Sequence, residues 1–411
     1  MRVVRCDGSP GQLAVLSGAL AEALDGGAAV LPLPPEAPSP EQLPDPGPGA
    51  ALVIETSGST GAPKRVVLSA AALRASAQAT HQRLGGPGRW LLALPAHHIA
   101  GAQLIVRALL GGHPPTLLDC RGGFRPERFA QLATGMLGAT EGQRRYTSLV
   151  PTQLHRILTG GPGGPGGPEN TAALEALRGF DAVLIGGAAV PTALRAQALH
   201  AGVAVICTYG MSETAGGCVY DGIPLRGAQV ALDPLDGRIS LAGPMLSSGY
   251  LGDPSGTAEV LREGWFHTAD IGRFEPDARL RVLGRIDDVI ITGGQKVHPG
   301  AVERVLTAQP GIHAACVVGL ADPEWGQLVA AAVVRDPTPQ NPADLNPEDL
   351  NPEDLDGAVR AELGAASVPK LLRELPELPL RGIGKPDRAA VAKLLAADRG
   401  EAGQTLAGTT I

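Results

Sequence analysis

Short apolar runs bounded by Gly, Pro and polar residues recur along the chain, and longer mixed segments separate them. Ala51-Leu52-Val53-Ile54 reads as a buried strand, and Trp90 to Leu94 as another. Ala100 to Leu110 reads as a helix, and Pro115 to Leu118 as the strand after it. Ala182 to Ile185, a helix from Pro191 to His200 and a strand from Val203 to Ile206 form a βαβ-like unit, with Pro191 suited to a helix start. Further on, a helix is expected over Pro299 to Ala308, and strands over His313 to Leu320 and Leu328 to Val334. Strands that alternate with helices in this way indicate an α/β fold.

The breaks in the pattern suggest the organisation. Gly160 to Pro168 is almost wholly Gly and Pro and reads as a mobile surface loop. A five-residue repeat, Asn341-Pro-Ala-Asp-Leu, then Asn346-Pro-Glu-Asp-Leu and Asn351-Pro-Glu-Asp-Leu, lies in a low-complexity insertion placed at 336–355 and reads as a solvated linker. A hinge is placed at Asp287-Asp288. It divides a large N-terminal domain of mixed sheets and packed helices (1–286) from a small, mobile C-terminal α/β domain (289–395), with 396–411 as a tail.

Composition narrows the possibilities. Of 411 residues, 44% are hydrophobic but only 3% aromatic, so aliphatic and alanine side chains must fill the core. The net charge of −7 argues against nucleic acid or an anionic membrane as main partner. No apolar run approaches the roughly 20 residues of a membrane span. Five widely spaced cysteines with no C-x-x-C fit free thiols in a reducing cytoplasm. The lysines are only Lys64, Lys296, Lys370, Lys385 and Lys393, in a chain otherwise rich in arginine. Three of these five fall within the motifs described next, where a compact ammonium suits the chemistry.

The strand ending at Ile54 runs into Thr56-Ser57-Gly58-Ser59-Thr60-Gly61-Ala62-Pro63-Lys64. Glycines let backbone N–H groups approach an anion, hydroxyls add donors, and a lysine adds a point charge for phosphate. The order differs from that of a P-loop. Downstream come Tyr209-Gly210-Met211-Ser212-Glu213, His267-Thr-Ala-Asp270, Gly284-Arg285-Ile-Asp287-Asp288 through Gly293-Gly294-Gln295-Lys296-Val-His298, and Gly382-Ile-Gly-Lys385. In this order they resemble the motifs of the adenylate-forming superfamily, which includes acyl- and aryl-CoA ligases, luciferases and peptide-synthetase adenylation domains. Family members usually carry roughly a hundred more residues before the phosphate loop, so the N-terminal region reads as abbreviated, with Gly26 to Leu33 as its remnant.

The resemblance implies ATP and CoA as co-substrates, Mg2+ as cofactor and a carboxylic acid as substrate. It implies that Thr56, Ser57, Gly58, Ser59, Thr60, Gly61 and Lys64 hold the phosphates and that Gly186-Gly187-Ala188 walls the nucleotide pocket. Tyr209 would stack on adenine, with Gly210, Met211 and Ser212 beside the α-phosphate and Glu213 as the Mg2+ ligand. Asp270 would accept from the ribose hydroxyls, with Arg285 helping to hold them. Asp287 would be the hinge, Gly293 and Gly294 would line the pantetheine tunnel, and Lys385 would bridge the substrate carboxylate and ATP. Two departures stand out: Ser212 where Thr is commoner, and Ala269 where Gly is usual.

Leu94-Pro-Ala-His97-His98-Ile-Ala-Gly101 resembles the segment that borders the acyl pocket, with His98 at the position of the usual histidine and His97 at that of a usual aromatic. No Cys or carboxylate is spaced with them for zinc. Leu149-Val-Pro-Thr152-Gln153-Leu154 and Gly216-Gly-Cys-Val-Tyr-Asp-Gly222 resemble the o-succinylbenzoate–CoA ligases of menaquinone biosynthesis, whose compact members share the short N-terminus. Their acid carries two carboxylates, and Gln103, Arg107, Thr152 and Gln153 stand as unranked candidates for the distal one. The expectation is an ATP-dependent, AMP-forming acid–CoA ligase, cytoplasmic and without membrane span, for which a homodimer is an open option. Another aryl- or short-chain acyl-CoA ligase, or a silent nucleotide-binding paralogue, is the alternative.

Overall fold

The computed structural model describes residues 1–38, 40, 42–56, 63–159, 168–335, 352–381 and 385–407. The chain divides into two compact units. The first comprises Met1–Val190, Gln197–Thr268 and Phe274–Arg281; the second comprises Pro191–Ala196, Ala269–Arg273 and Val282–Ile411.

The first unit holds two main sheets. One runs, in spatial order, Arg2–Arg5, Val30–Leu33, Ala50–Thr56, Lys64–Ser69 and Gly249–Tyr250. Its first three strands are parallel, and Arg2–Arg5 reaches Val30–Leu33 through the helix Pro10–Leu24. That helix starts where Ser9 accepts from the Gln12 N–H and Pro10 supplies a fixed φ. The other sheet has seven strands, in the order Ile223–Pro224, Gly216–Tyr220, Val205–Met211, Ala182–Ile185, Arg145–Leu149, Arg89–Leu92 and Thr116–Leu117. The last five are parallel. Among them Ala182-Val-Leu-Ile185 is apolar and buried throughout, as a strand covered on both faces requires. Trp90 and Tyr146 pack at 4.9 Å between centroids and are two of the few aromatic side chains that fill this core.

In the second unit, the strands Ile312–Asp322 and Gly326–Arg335 pair antiparallel over their full length. Alternate residues face two separate cores. Val317, Val329, Ala331 and Val333 pack with Val302 and Leu306 of the helix Pro299–Thr307 and Val359 of the helix Pro352–Leu363. Cys316, Val318, Ala330 and Ala332 pack with Val391 and Leu395 of the helix Arg388–Ala407. A strand buried on both faces cannot show the polar alternation of a half-exposed one, which explains why this segment reads as an unbroken apolar run.

Two expectations need correction. The insertion placed at 336–355 does not extend to 355: Pro352-Glu-Asp-Leu forms the first turn of a helix, with Leu355 buried. Proline is favoured at such a start and acidic residues suit the positive end of the helix dipole. The remainder, 336–351, lies outside the described residues. The expected tail from 396 is helical as far as Ala407. The Gly160–Pro168 loop also lies outside the described residues except at Pro168, which opens a helix. Among the described residues no helix is long and apolar enough to cross a membrane.

Candidate active site

In the first unit, the candidate residues gather beyond the carboxyl ends of the parallel strands, where open α/β sheets bind their ligands. Strand Ala182–Ile185 ends at Gly186, where a Cβ would collide with the Thr208 hydroxyl on the neighbouring strand; Gly187 follows with φ +82°. Tyr209 and Met211, on strand Val205–Met211, are half-buried against a cluster that includes Val219, Ile239 and Leu241.

Glu213 sits in a single helical turn, Ser212–Thr214. The Thr214 hydroxyl accepts from the Met211 N–H (2.9 Å) and donates to the Gly216 carbonyl (2.7 Å), closing the turn on itself. Ala215 is fully buried in the left-handed region, at φ +50°. A non-glycine residue held there stores strain that the surrounding hydrogen bonds must sustain. One of these comes from Ser76, whose Oγ donates to the Ala215 carbonyl at 3.0 Å.

Tyr250, absent from every sequence motif above, links two of them. Its phenol donates to Glu213 Oε1 at 2.9 Å, and the Lys64 ammonium lies 4.7 Å from its ring centroid. Burial first, then the Glu213 charge, pushes the phenol pKa up, so it remains a protonated donor. Among the described residues neither Lys64 nor Glu213 enters an ion pair. A lone hard-oxygen carboxylate fits Mg2+, which keeps several waters and phosphate oxygens in its shell. No group of three His, Cys, Asp or Glu suited to a metal occurs among the described residues. Thr56 pairs with Lys64 across the strand hairpin, whereas Ser57, Gly58, Ser59, Thr60 and Gly61 lie outside the described residues.

The His97 and His98 rings lie 4.4 Å apart between centroids, tilted by 47°, at the entry to helix Ile99–Leu110. Burial lowers the His97 pKa against the opposing pull of Glu36. Gly101 has no room for a side chain, because a Cβ would strike the Pro95 carbonyl.

The four distal-carboxylate candidates separate here. Gln153 spends its amide on backbone, accepting from Val150 N (3.0 Å) and donating to Ala93 O (2.8 Å). Gln103 is fully buried and donates to Leu73 O at 3.0 Å, leaving only its Oε1, an acceptor, without a partner. Each thus commits an amide N–H to a backbone carbonyl. Thr152 is half-buried in the first turn of helix Pro151–Thr159. Arg107 differs from all three: it is 4% exposed, its Nε has no partner, and no carboxylate among the described residues pairs with it. Its guanidinium lies 5.5 Å from the Trp90 ring centroid, and Nη2 is 3.9 Å from where a Gly216 Cβ would stand. His81, packed nearby, has its pKa lowered to about 4 by burial and by the Arg107 charge, so the only cation of this group at neutral pH is Arg107.

In the second unit, Asp270 faces Arg285 Nη1 at 3.6 Å, and Arg285 Nη2 donates to Asp287 at 2.8 Å. Burial works against the guanidinium charge, but the Asp287 hydrogen bond and the charges of Asp270, Asp287 and Asp288 outweigh it, and the Arg285 pKa is raised. Gly293 and Gly294 are the two central residues of a hairpin, at φ +53° and +78°, between strands Ile290–Thr292 and Gln295–Val297. Positive φ at both positions is the turn geometry that matches the strand twist here, and it favours the Gly-Gly pair. Trp325, 43% exposed, lies against Gly293, with Lys370 Nζ 5.9 Å from its ring. Lys385 is exposed and pairs with Arg381 across a hairpin whose tip, 382–384, is outside the described residues. Three residues on, Arg388 binds Glu303 through both terminal nitrogens, Asp288 Oδ2 at 3.2 Å and the Val317 carbonyl at 2.7 Å.

Residues 11–251 match the AMP-binding enzyme family, and 301–385 match the C-terminal domain of AMP-binding enzymes. The chain belongs to the AMP-binding enzyme family. This AMP-binding enzyme is 43% identical over 371 residues to a protein of Mycobacterium tuberculosis named probable 2-succinylbenzoate–CoA ligase, covering 89% of this chain and 88% of that one. It is 33% identical to a feruloyl-CoA synthase of Amycolatopsis, covering 81% of this chain and 67% of that one. Among solved structures it resembles the amide bond synthetase McbA from Marinactinospora thermotolerans, with a TM-score of 0.70, 27% identity and coverage of 95% and 79% of the two chains. It also shares its fold with the o-succinylbenzoate CoA synthetase MenE from Bacillus subtilis in complex with the acyl-adenylate intermediate, with a TM-score of 0.66, 24% identity and coverage of 88% and 74%. The AMP-binding enzyme thus has the mixed α/β fold expected from its sequence.

Proposed function

We propose that this enzyme joins 2-succinylbenzoate to CoA at the expense of ATP, the ligase step of menaquinone biosynthesis. The observation that carries the choice of acid is Arg107. A buried guanidinium without a counter-charge is costly, and a second carboxylate entering beside Gly216 would supply that charge. The 43% identical relative named for the same acid agrees with it.

In this scheme the succinyl carboxylate oxygen attacks the α-phosphorus of ATP and pyrophosphate leaves, giving an acyl-adenylate. The CoA thiolate then attacks the acyl carbon and AMP leaves. Two anions meet in the first step, so positive charge at the point of attack lowers the barrier most; Lys385 supplies it, and Lys64 holds the departing phosphates. Glu213 would hold Mg2+, which when bound screens phosphate charge. Tyr209, Gly186, Gly187 and Ala188 hold the adenine end, with Gly210, Met211 and Ser212 beside the α-phosphate. Asp270 and Arg285 fix the ribose, His97 and His98 border the acyl pocket, and Gly293-Gly294 flank the path of the pantetheine arm. Asp287 is the pivot between the half-reactions.

The test is pyrophosphate release, dependent on ATP and CoA, across a panel of acids. 2-Succinylbenzoate should give the highest kcat/KM. The identity with feruloyl-CoA synthase favours ferulate as the second reading. If ferulate, benzoate, acetate or a fatty acid wins by tenfold, about 1.4 kcal/mol of transition-state preference, the assignment of substrate fails.

A further inference from the structure

Tyr250 contacts two residues of opposite charge that the scheme above assigns to the same nucleotide. Its backbone is held on both sides. Strand Gly249–Tyr250 pairs antiparallel with Lys64–Ser69, flanked by Ser248 N–H to Val67 O (2.9 Å) and Leu251 N–H to Arg65 O (2.8 Å). The Tyr250 N–H donates to Thr257 Oγ1 at 2.8 Å, and the Thr257 side chain fills the space a Cβ on Gly249 would need. The ring therefore projects from a fixed frame, with Lys64 on its face and Glu213 at its hydroxyl.

A free ammonium and a free carboxylate this close to one side chain would attract one another. A direct pair would occupy the lysine with a carboxylate instead of phosphate, and the carboxylate with a lysine instead of a metal ion. We propose that Tyr250 is a positioning residue that keeps Lys64 and Glu213 apart and ready. Its O–H fixes one oxygen of Glu213 and leaves the other for the cation, while its ring holds the ammonium by a cation–π contact weak enough to yield to phosphate. This rests on the reading of Glu213 as the metal carboxylate and Lys64 as a phosphate ligand, and is independent of which acid the enzyme uses.

The test separates the two contacts. Binding of a non-hydrolysable ATP analogue is measured by calorimetry with Mg2+ and with EDTA, without acid or CoA, for the wild type, Tyr250→Phe, Tyr250→Leu, Glu213→Gln and the Tyr250→Phe/Glu213→Gln double variant. Unfolding of each is followed alongside. Tyr250→Phe keeps the ring and loses the O–H. It should weaken Mg2+-dependent binding roughly ten- to a hundredfold, as expected for a hydrogen bond to a charged group, and leave binding in EDTA unchanged. In the Glu213→Gln background it should have no further effect, because its target is gone. Tyr250→Leu should weaken binding in EDTA as well. Equal losses for Tyr250→Phe with and without Mg2+, or full additivity with Glu213→Gln, would overturn the proposal. So would a Glu213→Gln variant with undiminished Mg2+ dependence. Success here alongside failure of 2-succinylbenzoate in the acid panel would leave the proposal standing and refute only the substrate.

Discussion

Arg107→Met should leave the enzyme at least as stable but much less active on a dicarboxylic substrate. Arg107 is 4% exposed with no carboxylate partner among the described residues. Replacing buried ionic groups with apolar side chains of similar volume is often neutral or stabilising by about 1–4 kcal/mol, so Tm should hold or rise by a few degrees. Removing one partner of a buried ion pair costs about 3–5 kcal/mol, or roughly two to four orders of magnitude in kcat/KM for 2-succinylbenzoate. The control is 3-benzoylpropionate, the same acid without its ring carboxylate. It should be a poor substrate of the wild type and lose little more in the variant. A second signal comes from His81, whose pKa of about 4 owes part of its depression to the Arg107 charge; in Arg107→Met it should rise, as read by NMR titration of the imidazole. The reasoning is refuted if both acids lose activity equally, or if Tm falls, since either result would make Arg107 a paired structural group.

Two further outcomes follow from named groups. His81 has a folded pKa of about 4 against 6.5, so its neutral form is favoured in the folded state. Its contribution is complete above pH 6.5 and is lost as pH falls from 6.5 through 4, by about 3 kcal/mol at most; His81→Gln should flatten the acid limb of a stability–pH curve in that window, measured by urea unfolding. Lys385→Ala should slow acyl-adenylate formation about 10²- to 10³-fold, yet turn pre-formed acyl-adenylate and CoA into thioester at near the wild-type rate. Equal loss of both half-reactions in rapid-quench assays would sink the two-step role of the lysine.

Much of the fold was legible where strands are apolar and buried, as at Ala182–Ile185, Ile312–Asp322 and Gly326–Arg335, whereas Arg145-Tyr-Thr-Ser-Leu149, polar yet buried, gave no such signal. The helix Ile99–Leu110 and the strand Ala182–Ile185 stand within a residue of their expected places, whereas the strand expected over Val203 to Ile206 runs Val205–Met211. The short strand Gly249–Tyr250 was not legible, since two residues, one of them glycine, carry no periodic signal and their pairing with Lys64–Ser69 spans nearly two hundred residues. The functional importance of Tyr250 was hidden for the same reason. The ranking of Gln103, Arg107 and Gln153 was also out of reach. All three are polar residues in apolar segments, and only the folded chain shows that two of them donate to backbone carbonyls. Ser76, outside every motif above, braces the strained Ala215 behind Glu213. Contacts this distant in sequence leave no local trace.

The cluster around Arg388 bears on how the enzyme should respond to its medium. One guanidinium grips Asp288 of the expected pivot, Glu303 of a neighbouring helix and a strand carbonyl, and it stands three residues beyond Lys385. The lysine is thus registered to the pivot by charges that are largely withdrawn from solvent, while ion pairs such as Arg2–Glu22 lie open to it. Added salt screens the open pairs far more than the withdrawn ones. Ionic strength should therefore alter how the enzyme captures its anionic substrates well before it disturbs where the ammonium of Lys385 is delivered, and KM and kcat of the adenylation step should part company along a salt series.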